Sequence, residues 1–408
     1  MRFQEFIAEQ KNTHMTHIED KVLYGGVNGT RQAILALREL RDMLGGVHDG
    51  RLSLKWDGAP AVFAGTDPRD GRFFVAKKGI FAKSPKVYKS DADIDADTSG
   101  DLNTKLKLAL KHLAAIGIKG IIQGDFLFSS DDIKTQKIKG NSYVTFHPNT
   151  ILYAVPNDTP MAKQVKAAKI GIVWHTTYTG SSFESLKASY GVDVSKLRST
   201  RDVFMQDAML RDLTNATMSG DETDAVNDYL STAGKIFNKI SGTTLRQLEA
   251  NQDLAQLIEQ FNNTFVRQGS VIGNTTQHTN KLIRWINKKY QKEIDTRKTD
   301  KGKAVQQKKL DDILSFFSTA NKRSLTQMFE LQKVIVLAKL KLINILNRLS
   351  SMETFVKTRN GFKVTDQEGY VAIDRLGGDA VKIVDRMEFS YNNFSPDILK
   401  GWDKPGRN

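Results

Sequence analysis

The 408-residue sequence has no cysteine. Disulfides, thiolate zinc sites and cysteine nucleophiles are therefore excluded, and a reducing compartment is the natural setting: cytoplasmic, in the host if the source is viral. No apolar run approaches the roughly 18 residues of a membrane span, so no membrane association is expected. The opening MRFQEFIAEQ has one arginine and no apolar core, which speaks against a secretory signal. Acidic residues are also scarce relative to basic ones, 46 against 60, giving a formal net charge of +14. That excess favours polyanionic partners, nucleic acid above all. In bulk the chain is ordinary: 39% hydrophobic and 26% charged residues describe a folded protein with a large core. Its length predicts two or three domains.

Residues 1–26 form a polar lead-in. His14 and His17 have the spacing of a metal pair or a phosphate contact, but bracing the entry to the next helix is the simpler reading. Ile34, Leu37, Leu40 and Leu44 then give residues 27–44 a helical period, with Asn28 or Thr30 as cap and Gly45-Gly46 as stop. Residues 52–82 read as a hairpin of strands: one carrying Lys55, a break at Asp57-Gly58, a second over 59–64, a polar turn, and a third over 72–76 that presents Lys77 and Lys78. Residues 84–100 carry Asp91, Asp93, Asp95 and Asp97 without the glycine and closing glutamate of a calcium loop, and read as a solvated loop. A helix over 102–116 precedes a buried strand over 119–129, in which Gly124-Asp125 interrupts an apolar run. Strands over 150–155 and 170–178 flank a short helix and bring Tyr153, Trp174 and Tyr178, each a candidate for core packing or for stacking on a ring.

From 182 to 350 helical periodicity dominates. Within this segment lies a dense basic region that includes Lys281, Arg284, Lys288, Lys289 and Lys292 beside Trp285 and Tyr290, either a solvated face or a nucleic-acid surface. Strand-like sequence returns with Glu368-Gly369-Tyr370-Val371 and with an apolar stretch around Lys382.

Lys55-Trp56-Asp57-Gly58 resembles the Lys-x-Asp-Gly nucleophile motif of the covalent nucleotidyltransferases, which include ATP-dependent DNA ligases, RNA ligases and mRNA capping enzymes. The strand around Gly124-Asp125 resembles that superfamily's third motif, Glu368-Gly369-Tyr370-Val371 its fourth, and the strand of Lys382 its fifth. One such motif arises easily by chance, whereas the ordered set does not. The resemblance covers 27–178 and 356–394 and is closest to phage-type RNA ligases. It implies an α+β fold: an antiparallel-sheet nucleotidyltransferase domain in two parts, 1–181 and 351–408, around a basic, all-helical insertion over 182–350.

By the same resemblance, the activity is ATP-dependent polynucleotide ligation through a lysyl-AMP intermediate, on RNA more than DNA, joining 5′-phosphate to 3′-hydroxyl ends. Lys55 is then the nucleophile, with Asp57 and Lys382 also catalytic. The nucleotide contacts Lys55, Gly58, Lys77, Lys78, Asp125, Tyr153, Trp174, Glu368 and Lys382. Asp125 and Glu368 suit magnesium, with manganese as an alternative. Lys281, Arg284, Lys288, Lys289 and Lys292 face the nucleic acid. The chain departs from the pattern in three places. Asp125 replaces a glutamate. Val384 replaces a second lysine, for which Arg386 is a substitute. The stretch after the fifth motif is too short for the OB-fold that DNA ligases and capping enzymes carry there. Two other readings stay open: a different acceptor, as in a GTP-using capping guanylyltransferase or a protein-nucleotidylating enzyme, or a non-catalytic nucleic-acid-binding or assembly protein on the same fold.

Overall fold

The structure is a computed structural model that describes residues 16–47, 51–210, 212–317, 319–373 and 380–401. His14 lies outside the described residues. Among them the strands are β1 (Arg51–Lys55), β2 (Ala61–Thr66), β3 (Phe73–Ala76), β4 (Ile121–Ser129), β5 (Lys134–Ile138), β6 (Asn141–Phe146), β7 (Ile151–Pro156), β8 (Ile170–Thr179), β9 (Lys187–Tyr190), β10 (Val203–Asp207), β11 (Met209–Leu210), β12 (Glu353–Thr358), β13 (Gly361–Val364), β14 (Gly369–Ile373), β15 (Ala380–Ile383) and β16 (Ile398–Leu399). The helices are α1 (Lys21–Tyr24), α2 (Gly26–Leu44), α3 (Asp91–Asp97), α4 (Gly100–Leu113), α5 (Pro160–Ala167), α6 (Gly220–Phe237), α7 (Gly242–Ala250), α8 (Gln252–Arg267), α9 (Thr275–Asp295), α10 (Asp300–Phe316), α11 (Thr319–Leu346) and α12 (Arg386–Phe394). The fold is α+β, and among the described residues its three sheets are antiparallel except where β10 joins β8 in parallel and where an isolated bridge at His17 runs parallel to β15.

The first sheet has the order β11-β1-β14-β15 and carries both ends of the sequence pattern. Strand β1 does not pair with β2, as a simple hairpin would require. It pairs with β14, more than 300 residues away, while β2 joins the second sheet beside β3 and β4. The chain changes sheets at Trp56–Pro60 because Asp57-Gly58 leaves the strand at that point. Register settles the two faces of the first sheet. Ser53 opposes Val371, which opposes Lys382, and Lys55 opposes Gly369, so these residues share one face. Leu52, Leu54, Tyr370, Val381 and Ile383 point the other way.

That rear face packs on helices. Leu52, Tyr370, Val381 and Ile383 belong to one apolar cluster with residues of α2, α6, α8, α9 and α11, including Leu37, Leu230, Ile258, Ile286 and Leu342. Burying a side chain of this size contributes about 1.5–3 kcal/mol, so the core that supports the Lys55 sheet is largely supplied by the 220–346 helices.

The second sheet, β10-β8-β4-β2-β3, packs its rear face on α4 through Val62, Ile122, Phe126 and Trp174 against Leu106, Ala109 and Leu113. The third, β13-β12-β7-β6-β5, packs against the second through Phe128, Val144, Phe146, Tyr153 and Phe204, with Trp56 in the same layer.

Several local expectations change. Helix α2 begins at Gly26 with Gly25 as cap residue, and the Thr30 hydroxyl instead donates to the Gly26 carbonyl one turn back. The acidic stretch contains α3, closed by a capping box between Ser90 and Asp93. Asp97 at its end pairs with Lys77 and Lys86, which satisfies that carboxylate without calcium. The segment after 182 first supplies β9, β10 and β11, and its α-helices start at α6, where Ser219 and Glu222 form another capping box. Much of the basic region is helical, in α9 and α10.

Candidate active site

Lys55 ends β1, and the next residues run across to the second sheet. Across β14 from Lys55 stands Gly369, whose φ of +146° is costly for other residues. A Cβ at that position would lie 2.4 Å from Val384 Cγ2 and 3.0 Å from the Ile383 carbonyl oxygen. The backbone turn at Gly369 brings Glu368 round to the front face, where its Oε1 accepts a hydrogen bond and an ion pair from Lys55 Nζ. Its other oxygen is buried with no partner. Burial pushes the Glu368 carboxyl up to about 7; Lys55 opposes that rise, and repulsion from Asp57 and Asp125 adds to it. Lys382, half-buried on β15, is lowered by burial first, then by Lys55, with Glu368 opposing. Lys55, Glu368 and Lys382 therefore form one electrostatic group.

Asp57 is placed differently. Its carboxylate accepts from the Asn149 side chain (2.7 Å) and from the Thr150 (2.6 Å) and Ile151 (2.7 Å) backbone, so it anchors the turn entering β7. Burial raises its carboxyl, and these three donors work against that rise. Gly58 lies directly over β4: a Cβ there would meet Asp125 Cβ at 2.6 Å and the Phe126 carbonyl oxygen at 3.1 Å. Only glycine lets the Trp56–Pro60 loop pass this close to Asp125. Asp125 in turn lies 3.6 Å from His175 Nε2. This imidazole is half-buried, and no motif of the sequence singles it out. His175 falls where the β4–β8 register slips, between Trp174 opposite Gly124 and Thr176 opposite Gln123, and a bulge of this kind has no sequence signature beyond the glycine.

Two aromatic assignments are corrected. Trp174 is fully buried on the rear face of the second sheet, against the α4 layer and away from Asp125. Gly124 makes room for it: a Cβ there would lie 2.7 Å from Trp174 Cε3. Tyr153 is also fully buried, its hydroxyl accepting the Asp57 N–H at 2.8 Å. Neither ring has a face open to a base. Tyr178, on the Asp125 side, packs with Phe63 and Phe81 and donates to Gln123 at 2.8 Å.

Lys77 and Lys78 follow β3, with Lys77 drawn to Asp97 at 3.0 Å and Lys78 exposed. Arg386 does not stand in for a second phosphate lysine. Its guanidinium is held by Asp20 (2.8 Å), Asn263 (2.7 Å) and Glu259 (3.6 Å) at the helical interface. Among the described residues no three His, Asp or Glu side chains cluster as a metal site. The Asp125 carboxylate and the unpartnered Glu368 oxygen are a donor set that would fit a magnesium ion keeping several waters.

On the helical side, Lys281, Arg284, Lys288 and Lys292 lie exposed along one face of α9, over about 16 Å at 1.5 Å per residue. Lys289 instead donates to Gln260 at 2.7 Å and lies 5.2 Å over the Trp285 ring.

No curated protein and no solved structure matches the chain. A family model described as a family of unknown function, DUF6267, matches residues 12–397, nearly the whole length. The chain belongs to that family.

Proposed function

We propose that this protein is an ATP-dependent nucleotidyltransferase that charges Lys55 with AMP and passes it to the end of a polynucleotide, RNA in preference to DNA. The observation that carries the reading is the meeting of three motif residues, Lys55, Glu368 and Lys382, on one face of one sheet, although 313 residues separate Lys55 from Glu368.

The chemistry follows from the charges. The Lys55 amine attacks the α-phosphorus of ATP in its neutral form; an N–P bond forms, the α–β bridging P–O bond breaks, and pyrophosphate leaves with the electron pair. Glu368, hydrogen-bonded to Lys55 Nζ, is placed to take the departing proton. Lys382 also offers its charge to the α-phosphate as negative charge develops there. Magnesium, held by Asp125 and Glu368, would neutralise triphosphate charge when bound. In the second step a terminal 5′-phosphate oxygen attacks the same phosphorus, the N–P bond breaks and Lys55 regains a proton. A 3′-hydroxyl then displaces AMP to form the phosphodiester. The exposed row on α9 supplies phosphate contacts for the polynucleotide.

The test is covalent labelling. The protein is incubated with magnesium and α-labelled ATP or GTP, denatured and run on a gel beside Lys55→Ala. Label from ATP that survives denaturation and is absent from the variant is the expected result. Label from GTP alone points to capping chemistry. No label with either nucleotide, from folded protein free of bound AMP, overturns the proposal.

A further inference from the structure

The first sheet continues beyond β15. The chain at Thr16 and His17 runs parallel to that strand, and the Lys382 N–H donates to the Thr16 carbonyl at 3.4 Å. Within three residues the same segment enters the helical layer. Glu19 is buried, and both of its carboxylate oxygens lie 2.9 Å from Lys339 Nζ on α11. Lys339 is itself completely buried. The Glu19 backbone carbonyl accepts from Gln332, also on α11, at 3.0 Å. Asp20 takes the guanidinium of Arg386, four residues beyond Lys382. The segment is thus fixed to α11 on one side and to the end of β15 on the other.

A buried ion pair is a poor way to gain stability, because desolvation offsets most of the attraction. It does select one geometry, since removing Lys339 leaves buried Glu19 to the Arg386 guanidinium 3.8 Å away, and removing Glu19 leaves the Lys339 charge bare in the core. Here that geometry is the placement of the segment lying against Lys382. Building on the nucleotidyltransferase reading, we propose that Lys339 of the helical insertion is a positioning residue for Lys382, acting through Glu19 and the 16–20 segment. On this view the helical insertion completes the nucleotide site, in addition to carrying the basic row.

The test is a double-variant cycle on single-turnover formation of the lysyl-nucleotide. The rate constant, unlike the amplitude, does not fall when part of the protein is unfolded. Lys339→Met is expected to lower the rate constant at least tenfold while the KM for ATP stays within about twofold, and Lys339→Arg is expected to recover part of the loss. Glu19→Met with Lys339→Met removes both charges, which protects the fold, yet is expected to keep the low rate constant. In a Lys382→Ala background, Lys339→Met is expected to change the rate constant by less than twofold. Losses that multiply in that background, or a wild-type rate constant in Lys339→Met, overturn the proposal.

A second readout is independent of activity. In protein labelled with 13C at the lysine ε-carbon, with Lys382 assigned through Lys382→Arg, the Lys382 signal is expected to move in Lys339→Met. An unmoved signal overturns the positioning role. Absence of any label in the wild type is a failure of the nucleotidyltransferase reading and is told apart from it.

Discussion

Glu368 reaches Lys55 from a buried position in which an ionised carboxylate is poorly solvated, and its affinity for a proton rises accordingly. The native state holds this proton up to about pH 7, whereas the unfolded chain releases it near the ordinary value of 4.5. The group therefore favours folding fully below pH 4.5, and its contribution is lost as the pH rises through 7. Asp20 is raised in the same direction, so part of the effect belongs to it. Urea midpoints measured between pH 5 and 8 are expected to fall more steeply for the wild type than for Glu368→Gln. Equal slopes would show that Glu368 titrates normally. At this scale the sequence was legible where an unusual residue marks a strand or a tight turn, as at Lys55, Gly58, Glu368 and Lys382. It was not legible for the aromatics. A Trp pointing to the α4 layer and one pointing to a ligand occupy the same apolar strand, and a one-residue bulge decides between them.

At the scale of elements, long periodic helices could be read from the sequence, and so could the strands bearing motifs. The short edge strands β9, β10 and β11 could not: β10 and β11 gain their conformation from partners distant in the chain, β8 and β1, and β9 is a four-residue strand that folds back on the β8 just before it. The pairing of β1 with β14 was equally hidden, because it depends on a contact across more than 300 residues. Helix α9 shows what periodicity can reveal once its partners are known. Its buried positions, Leu282, Ile286, Tyr290 and Ile294, face the helical core and leave Lys281, Arg284, Lys288 and Lys292 in solvent. Each phosphate contact contributes about 0.7 to the salt slope of single-strand binding. Replacing these four residues by glutamine is therefore expected to lower the slope of log affinity against log salt by roughly 3 for a 20-nucleotide RNA followed by fluorescence anisotropy. An unchanged slope would show that the row is a solvated face.

For the molecule as a whole, the boundary between sheet and helices in the sequence is not a boundary in the core. Leu52, Tyr370 and Ile383 from the Lys55 sheet share one apolar cluster with Leu230, Phe261, Phe329 and Leu342 from the helices. The buried Glu19–Lys339 pair crosses the same contact. Separate domains usually meet through smaller, more polar surfaces and unfold independently, whereas elements that share a core lose their structure together. Native-state hydrogen exchange in rising urea, read peptide by peptide in the unaltered protein, distinguishes these cases. Amides of α11 and of β14 are expected to lose protection with the same dependence on urea, because both contribute side chains to one apolar cluster. If α11 keeps its protection after β14 has opened, the helices stand alone and the Lys55 sheet is only docked on them. The coupling of Lys339 to Lys382 would then have to act across a contact that opens on its own.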